Sequence, residues 1–542
     1  MTEPGSVSSE RSQGTSVAAS ASAAVRRRRW SLAVLVVLVV LLAGGAAVDL
    51  LEDPGALPAV QAVAQGPADA GRWYCPATAA RGESAVVEVA TVGDRASRVT
   101  VDRYAGGAVT ADPVRTVQPG AAVRIRLSAA HPSVVRWDGG PVAVTWRATG
   151  RTQTIAAPCE TAPSRRWYTA GFDTTLGSTS ALHLFNPFTE DATVALTFAT
   201  PDGPVRLVAT DNLVVPAGTS RRLELGRFQP EVADLGVTAE VAAGRIVAQG
   251  EVDLAPPRRS RGPRGRALLR AAPRAQRSWS FAYARSGQFS ESWLQVLNAG
   301  RREAAVEVSV SDPSNDASSL LGEVSVPAGG TTRIELAEAS RRAEFGVAVT
   351  GVNDEAIVVT RLTAIDRLGR HAGVAASLGA AEPATEWAVV GGGDRGRRDA
   401  LSIYNSGPRQ ARVEVVADAA PRRWSQITVE PNARAVVPLA DADTTGPSTP
   451  VLVRADRPVV PELRSVARGE ELRLWSAVGV PARSWRGPRT RPPVRLDPGL
   501  ATRAPGTSPL EATEGEGVPA PGLGLEAPSG PDTSAHDAGP GS

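Results

Sequence analysis

Apolar and polar residues alternate with a period of two through most of the chain between Trp73 and Pro481, in runs that are short. Successive side chains on a strand point to opposite faces, so the pattern predicts β-strands with one face buried and the other wet. The runs recur in a fixed order. Trp73, Trp167, Trp279 and Trp387 each open a segment of about 95 to 110 residues, the mark of internal repetition. In the last three a loop follows: GFDTTLGSTS from Gly171, ARSGQFSES from Ala284, GGGDRGRR from Gly391. Next comes an alternating strand ending in Asn, namely LHLFN to Asn186, LQVLN to Asn298 and LSIYN to Asn405. A second alternation follows it: ATVALTF from Ala192, AAVEVSV from Ala304, ARVEVV from Ala411. The first repeat keeps the rhythm more loosely, with AVVEVATV from Ala85 and SRVTVDRY from Ser97.

A turn at mid-repeat is the clearest signature. It reads VQPGAAVRIRL from Val117, VPAGTSRRLEL from Val215, VPAGGTTRIEL from Val326 and VEPNARAVVPL from Val429. Proline presets φ, and glycine or asparagine accepts the positive φ of a tight turn, so each is a hairpin signal with a mechanism. Each repeat closes with a strand pair, VAVTWRA and TQTIAAP in the first and VVPELRSV and LRLWSAV in the fourth. About seven short strands per 100 residues predict an all-β chain of four tandem immunoglobulin-like antiparallel β-sandwich units. The expected bounds are 72–162, 163–277, 278–384 and 385–482.

A different pattern precedes them. Residues 1–29 are polar and rich in Ser and Ala, and predict a disordered cytoplasmic lead. Arg26, Arg27, Arg28 and Arg29 then precede the apolar run SLAVLVVLVVLLAGGAAV. Residues 30–48 are expected to form one transmembrane helix: the run of about 18 residues is roughly 27 Å long as a helix and spans a bilayer core. Arginines before it and Asp49, Glu52 and Asp53 after it place the N-terminus in the cytoplasm and the bulk of the chain extracytoplasmically, in the cell envelope. A cleaved signal peptide is the alternative reading, and both export the bulk of the chain. Residues 49–71 read as a stalk linker, and 483–542 as a disordered Pro/Gly-rich tail.

Composition narrows the function. All 59 basic residues are Arg, an effect of GC-rich coding, and the net charge is only +3, so no nucleic-acid footprint is visible. Aromatics are 4% of the chain, so the cores must be built from Val, Ala and Leu. The only two cysteines, Cys75 and Cys159, flank one segment of domain size. In an oxidising compartment such a pair predicts a disulfide, worth about 4 kcal/mol by chain entropy, and cannot alone build a zinc site.

Catalytic and cofactor motifs are sparse. There is no G-x-S-x-G elbow, and His131, His183, His371 and His536 fall in three repeats and the tail. His183 alternates with Leu182 and Leu184 and is expected on the surface. The acidic loops at Asp312 and at Asp441 and Asp443 lack calcium-loop spacing. GGGDRGRR, Gly391 to Arg398, leads into a strand instead of the helix that a phosphate loop needs. No enzyme, cofactor or metal is expected. The candidate site is instead a loop: Arg258, Arg259, Arg261, Arg264 and Arg266 crowd the tip of a closing hairpin, suited to an anionic envelope polymer or a partner protein. Trp137, Trp146, Trp293, Trp424 and Trp475 offer the alternative, stacking on sugar rings, with burial between sheets as the opposing reading.

The basic lead, single apolar segment, RWY-Cys75 opening and repeated VPAG turns resemble an actinobacterial family of exported, membrane-anchored proteins of unknown function. The resemblance covers about Trp73 to Pro481. It implies work in the envelope, since members are often encoded near a family-two glycosyltransferase, and it supplies no catalytic residues. The expected function is a non-enzymatic, membrane-anchored scaffold or interaction protein of the envelope. The alternative is a glycan-binding accessory to polymer assembly.

Overall fold

The computed structural model describes residues 70–482 apart from 81, 128–130, 152, 258–261, 288–289, 312–318, 338–342, 368–369, 392–396, 418–421, 440–449 and 468–473. The predicted lead, transmembrane segment, most of the stalk and the tail lie outside these residues. Among the described residues the chain is all-β, with two single 3-10 turns, and no helix is long and apolar enough to cross a membrane.

Each recurring sequence mark has a structural task. The opening tryptophans are buried, and each indole Nε1 donates to a backbone carbonyl late in its own repeat: Trp73 to Val142, Trp167 to Ile246, Trp279 to Ile357 and Trp387 to Val459, at 2.8–3.0 Å. The strand-ending asparagines bind the mid-repeat turn. Nδ2 of Asn186, Asn298 and Asn405 donates to the carbonyls of Val215, Val326 and Val429 at 3.0–3.1 Å. Those valines begin the predicted turns. Gly120, Gly218, Gly329 and Asn432 sit in them with φ of +51 to +65°, the conformation the sequence required.

Two antiparallel sheets are built from every repeat. In the second, the sheet carrying the opening tryptophan runs Arg166–Phe172, Leu235–Ala243, Ala192–Thr200, Gly203–Arg206. The sheet carrying the last strand runs Thr219–Glu224, Thr179–Asn186, Val247–Leu254, Gly265–Arg270. We call these the tryptophan sheet and the closing sheet. The first and third repeats follow the same order; in the fourth the strand Val451–Ala467 serves both sheets. This pairing joins the second strand to the one before last, and the third to the one that pairs with the opening strand. The immunoglobulin order shares B beside E and C beside F but sets the first strand beside the second and the sixth beside the seventh; here the first pairs with the sixth and the second with the seventh.

The expectation of one wet face fails for the closing sheets. The tryptophan sheet of each repeat turns its second face onto the closing sheet of the next repeat. Alternation along the opening strands shows how. Trp167 points into the core of its own repeat, while Tyr168 and Ala170 join the core of the third. Trp387 lies in the fourth core, and Ala388 joins the first. The fourth repeat thus closes onto the first, where Thr145 Oγ1 donates to the Val390 carbonyl at 3.1 Å. Four closing strands complete the circle: Thr154–Pro158 packs on Gly265–Arg270, that on Arg370–Leu378, that on Leu474–Val478, and that on Thr154–Pro158.

Polar side chains on a doubly covered sheet need partners within the protein, because an unpaired buried charge is costly. Arg361 and Glu462, both fully buried, meet between the third and fourth repeats at 2.8 Å. Ser377 Oγ and the backbone N–H of Tyr283 donate to the same carboxylate. Glu88, also fully buried, holds Arg124 and Arg147 at 2.7 and 2.6 Å. The substitution Glu462→Ala strands the Arg361 guanidinium and is expected to cost about 3–5 kcal/mol, read as a lower urea midpoint. Replacing both residues by Leu should recover most of the loss, and an unmoved midpoint in Glu462→Ala contradicts the assignment.

Candidate functional site

Of the five arginines proposed from sequence, Arg264 and Arg266 lie among the described residues, and Arg266 is not part of an exposed loop. Arg266 is buried between the first and second repeats, its Nη1 2.6 Å from Glu83 and its Nε 2.9 Å from Glu251. Its backbone N–H also donates to Gln153 Oε1 at 3.1 Å. It is a structural ion-pair residue, because the closing strand that follows the loop turns its side chains onto the neighbouring repeat. Arg264 donates from Nη2 to the carbonyl of Pro257 at 2.9 Å. Arg258, Arg259 and Arg261 lie outside the described residues. Cys75 and Cys159 form the expected disulfide, with Cα atoms 4.8 Å apart and a sequence separation of 84.

The tryptophans offered for sugar stacking are not on a surface. Trp137, Trp146, Trp293 and Trp475 are each 2–3% exposed, which removes them as a stacking platform. The side chain of Trp424 lies outside the description. His183 is a second correction: it is buried, with Nε2 3.4 Å from Glu251, because the face it shares is covered by the first repeat. Asp312, Asp441, Asp443, the side chain of His371, His536 and the loop 392–396 lie outside the described residues. Among the described residues no group of three His, Cys, Asp or Glu side chains is placed to hold a metal.

Sequence reasoning missed a cleft of about 190 Å³ between the tryptophan sheet of the second repeat and the closing sheet of the third. Trp293, Leu362 and Phe172 are its apolar lining, Gln295, Asp173, Ser178, Asp234 and Arg333 its polar lining, and Pro256, Gly262 and Pro263 border it on either side of 258–261. Asp234 is held in an unusual state. Its φ is +57°, outside the range most non-glycine residues adopt, and its carbonyl accepts hydrogen bonds from Gln295 Nε2 at 3.1 Å and Thr331 Oγ1 at 2.5 Å. Among the described residues Arg333 pairs with its carboxylate, with Nη1 at 3.9 Å. Burial raises the Asp234 pKa above its ordinary value; Arg333 opposes this and Asp173 adds to it. The Arg333 guanidinium lies 4.3 Å over the Trp293 ring.

The sister junction shows why the cleft exists. In register, Gly171, Asp234 and Leu362 correspond to Tyr283, Glu344 and Arg464 at the junction of the third and fourth repeats. There Tyr283 is fully buried, and Arg434 and Arg464 both pair with Glu344. Three smaller side chains at the matched positions leave space where the sister junction is full. The only sequence signal was Gly171 standing where the third repeat has Tyr283.

The ion pairs fix a pH response. Burial works to raise the Glu251 pKa, but hydrogen bonds and charge from His183 and Arg266 outweigh it and bring it down to about 2. A carboxylate depressed in the folded state adds stability that is complete above its unfolded value, near 4.5, and is lost as pH falls toward 2. The contribution at neutral pH is about 3 kcal/mol. Denaturant titrations of the wild type and Glu251→Gln should therefore differ most above pH 5 and converge toward pH 2. A pH-independent difference contradicts the assignment.

No curated protein matches the chain. Among solved structures, the tetra-tandem repeat in the extending region of a large adhesion protein is similar at 12% identity, over 72% of this chain and 92% of that one. The TM-score is 0.10, so this likeness carries no argument about the fold. The pattern of a family of unknown function, DUF5719, matches residues 138–417, from the end of the first repeat into the fourth. That is just over half of the sequence, and the chain belongs to this family.

Proposed function

We propose that the chain is a non-enzymatic, membrane-anchored scaffold or interaction protein of the cell envelope. Residues 30–48 form its anchor, its N-terminus is cytoplasmic, and its bulk is extracytoplasmic. Four immunoglobulin-like sandwiches with re-ordered strands, over 72–162, 163–277, 278–384 and 385–482, form the working part. The observation that carries the reading is the closure of the fourth repeat onto the first. Packing both faces of the closing sheets holds the loops and outer strands of all repeats in fixed relation, which suits presentation of a surface to a partner protein or an anionic envelope polymer. The disulfide supports export, since such bonds persist in oxidising compartments. Glycan stacking on the five tryptophans is the weaker reading, because the four described ones are buried.

Both native cysteines are bonded, so Val208→Cys adds a lone thiol at a side chain 92% exposed. Intact cells carrying this variant should be labelled by a membrane-impermeant maleimide, and the labelled chain should sediment with membranes. Labelling only after lysis contradicts the placement. A purified chain that cleaves or extends envelope polymers contradicts the non-enzymatic reading.

A further inference from the structure

The cleft between the second and third repeats carries an inference beyond the scaffold reading, and it does not depend on where the chain resides. Gln295 is 1% exposed, and only its Nε2 is engaged; its Oε1 lines the cleft and accepts no hydrogen bond from a described residue. The Asp234 carboxylate likewise accepts none, although the residue is half-buried and its backbone is held in a strained conformation. Acceptors that line an enclosed cleft without a donor mark places where a further donor is expected. Among the described residues only Oδ1 of Asp173 accepts a hydrogen bond, from Thr175, and its other carboxylate oxygen has none. The hydroxyl of Ser178, also in the lining, has no hydrogen-bond partner among the described residues. Arg333, with Nε on Glu335, keeps donors at the same rim.

The balance of groups selects the ligand chemistry. Among the described residues open acceptors outnumber open donors, so the guest must bring several O–H donors. Two carboxylates repel an anion. Arg333, stacked on Trp293, stands against a cation, and no metal-holding group of acids is present among the described residues. The volume, about 190 Å³, equals roughly six waters and is below the range of drug-sized pockets, which run from about 300 Å³. We infer that this cleft binds a single neutral, hydroxyl-rich molecule of the size of one sugar ring, whose hydroxyls donate to Asp234 and Gln295 and accept from Arg333. Stacking on an exposed aromatic face plays no part in it.

The sister junction supplies the control. Asp234→Glu with Leu362→Arg copies the filling found between the third and fourth repeats and closes the cleft. The full chain in detergent is titrated by calorimetry and saturation-transfer NMR with glucose, galactose, mannose and myo-inositol; methylammonium and phosphate serve as ionic controls. At least one polyol is expected to bind with a Kd on the order of 1 mM. The filled variant should weaken it about tenfold or more, as loss of hydrogen bonds to a charged group does. Thermal unfolding shows whether that variant folds. Should it not, Asp173→Asn, which keeps the volume and removes one rim charge, must still weaken the same polyol. Binding of no polyol, binding of methylammonium or phosphate alone, or undiminished binding by a folded filled variant overturns the proposal.

Discussion

A β-sheet covered on both faces leaves no solvent to receive its polar side chains, and this constraint organises the molecule. In each closing sheet one face packs on its own tryptophan sheet, and the other on the tryptophan sheet of the preceding repeat. Charged residues on such a face must find opposite charges within the protein or destabilise it by several kcal/mol. Glu88 with Arg124 and Arg147, Arg266 with Glu83 and Glu251, and Glu462 with Arg361 are the solutions at three different junctions. Because pairs such as Glu83–Arg266 and Arg361–Glu462 join different repeats, they tie register within a sheet to the docking of neighbours.

Closure follows from the same packing. Each opening strand sends its tryptophan inward and the next residue outward, so every repeat contributes apolar surface to its successor, and the fourth contributes Ala388 and Val390 to the first. Glycines permit the close approach: a side chain at Gly236 would strike Leu297 and Thr331, and one at the matched Gly346 would strike Tyr404. The cleft at the second junction is the place where this filling is relaxed. Asp234 and Leu362 stand there where Glu344 and Arg464 fill the sister position, and the acceptors of Asp234 and Gln295 face the space that remains.

Much of a single repeat was legible in the sequence. The tryptophans, asparagines and Pro-Gly turns recur because each makes the same backbone contact in its own repeat, and a local contact leaves a local signature. The disulfide was legible from count and compartment. Double-faced burial was not. A strand whose polar face meets water and one whose polar face meets paired charges alternate identically, which is why His183 read as a surface residue and Arg266 as part of a ligand loop. Strand order was equally hidden, since a first strand beside the second or beside the sixth satisfies a period of two alike. The cleft depends on matching positions from two junctions, and only the contrast of Gly171 with Tyr283 hinted at it.

Closure of the circle is the central claim, and small-angle scattering tests it most directly. A chain comprising residues 70–482, the span of the described strands, should give a radius of gyration of about 22 Å, the value for one globular body of that length. Four sandwiches strung end to end give a radius about twice as large. A value near 22 Å at several concentrations is the predicted result; one near double that, with the elongated profile of a string, contradicts it.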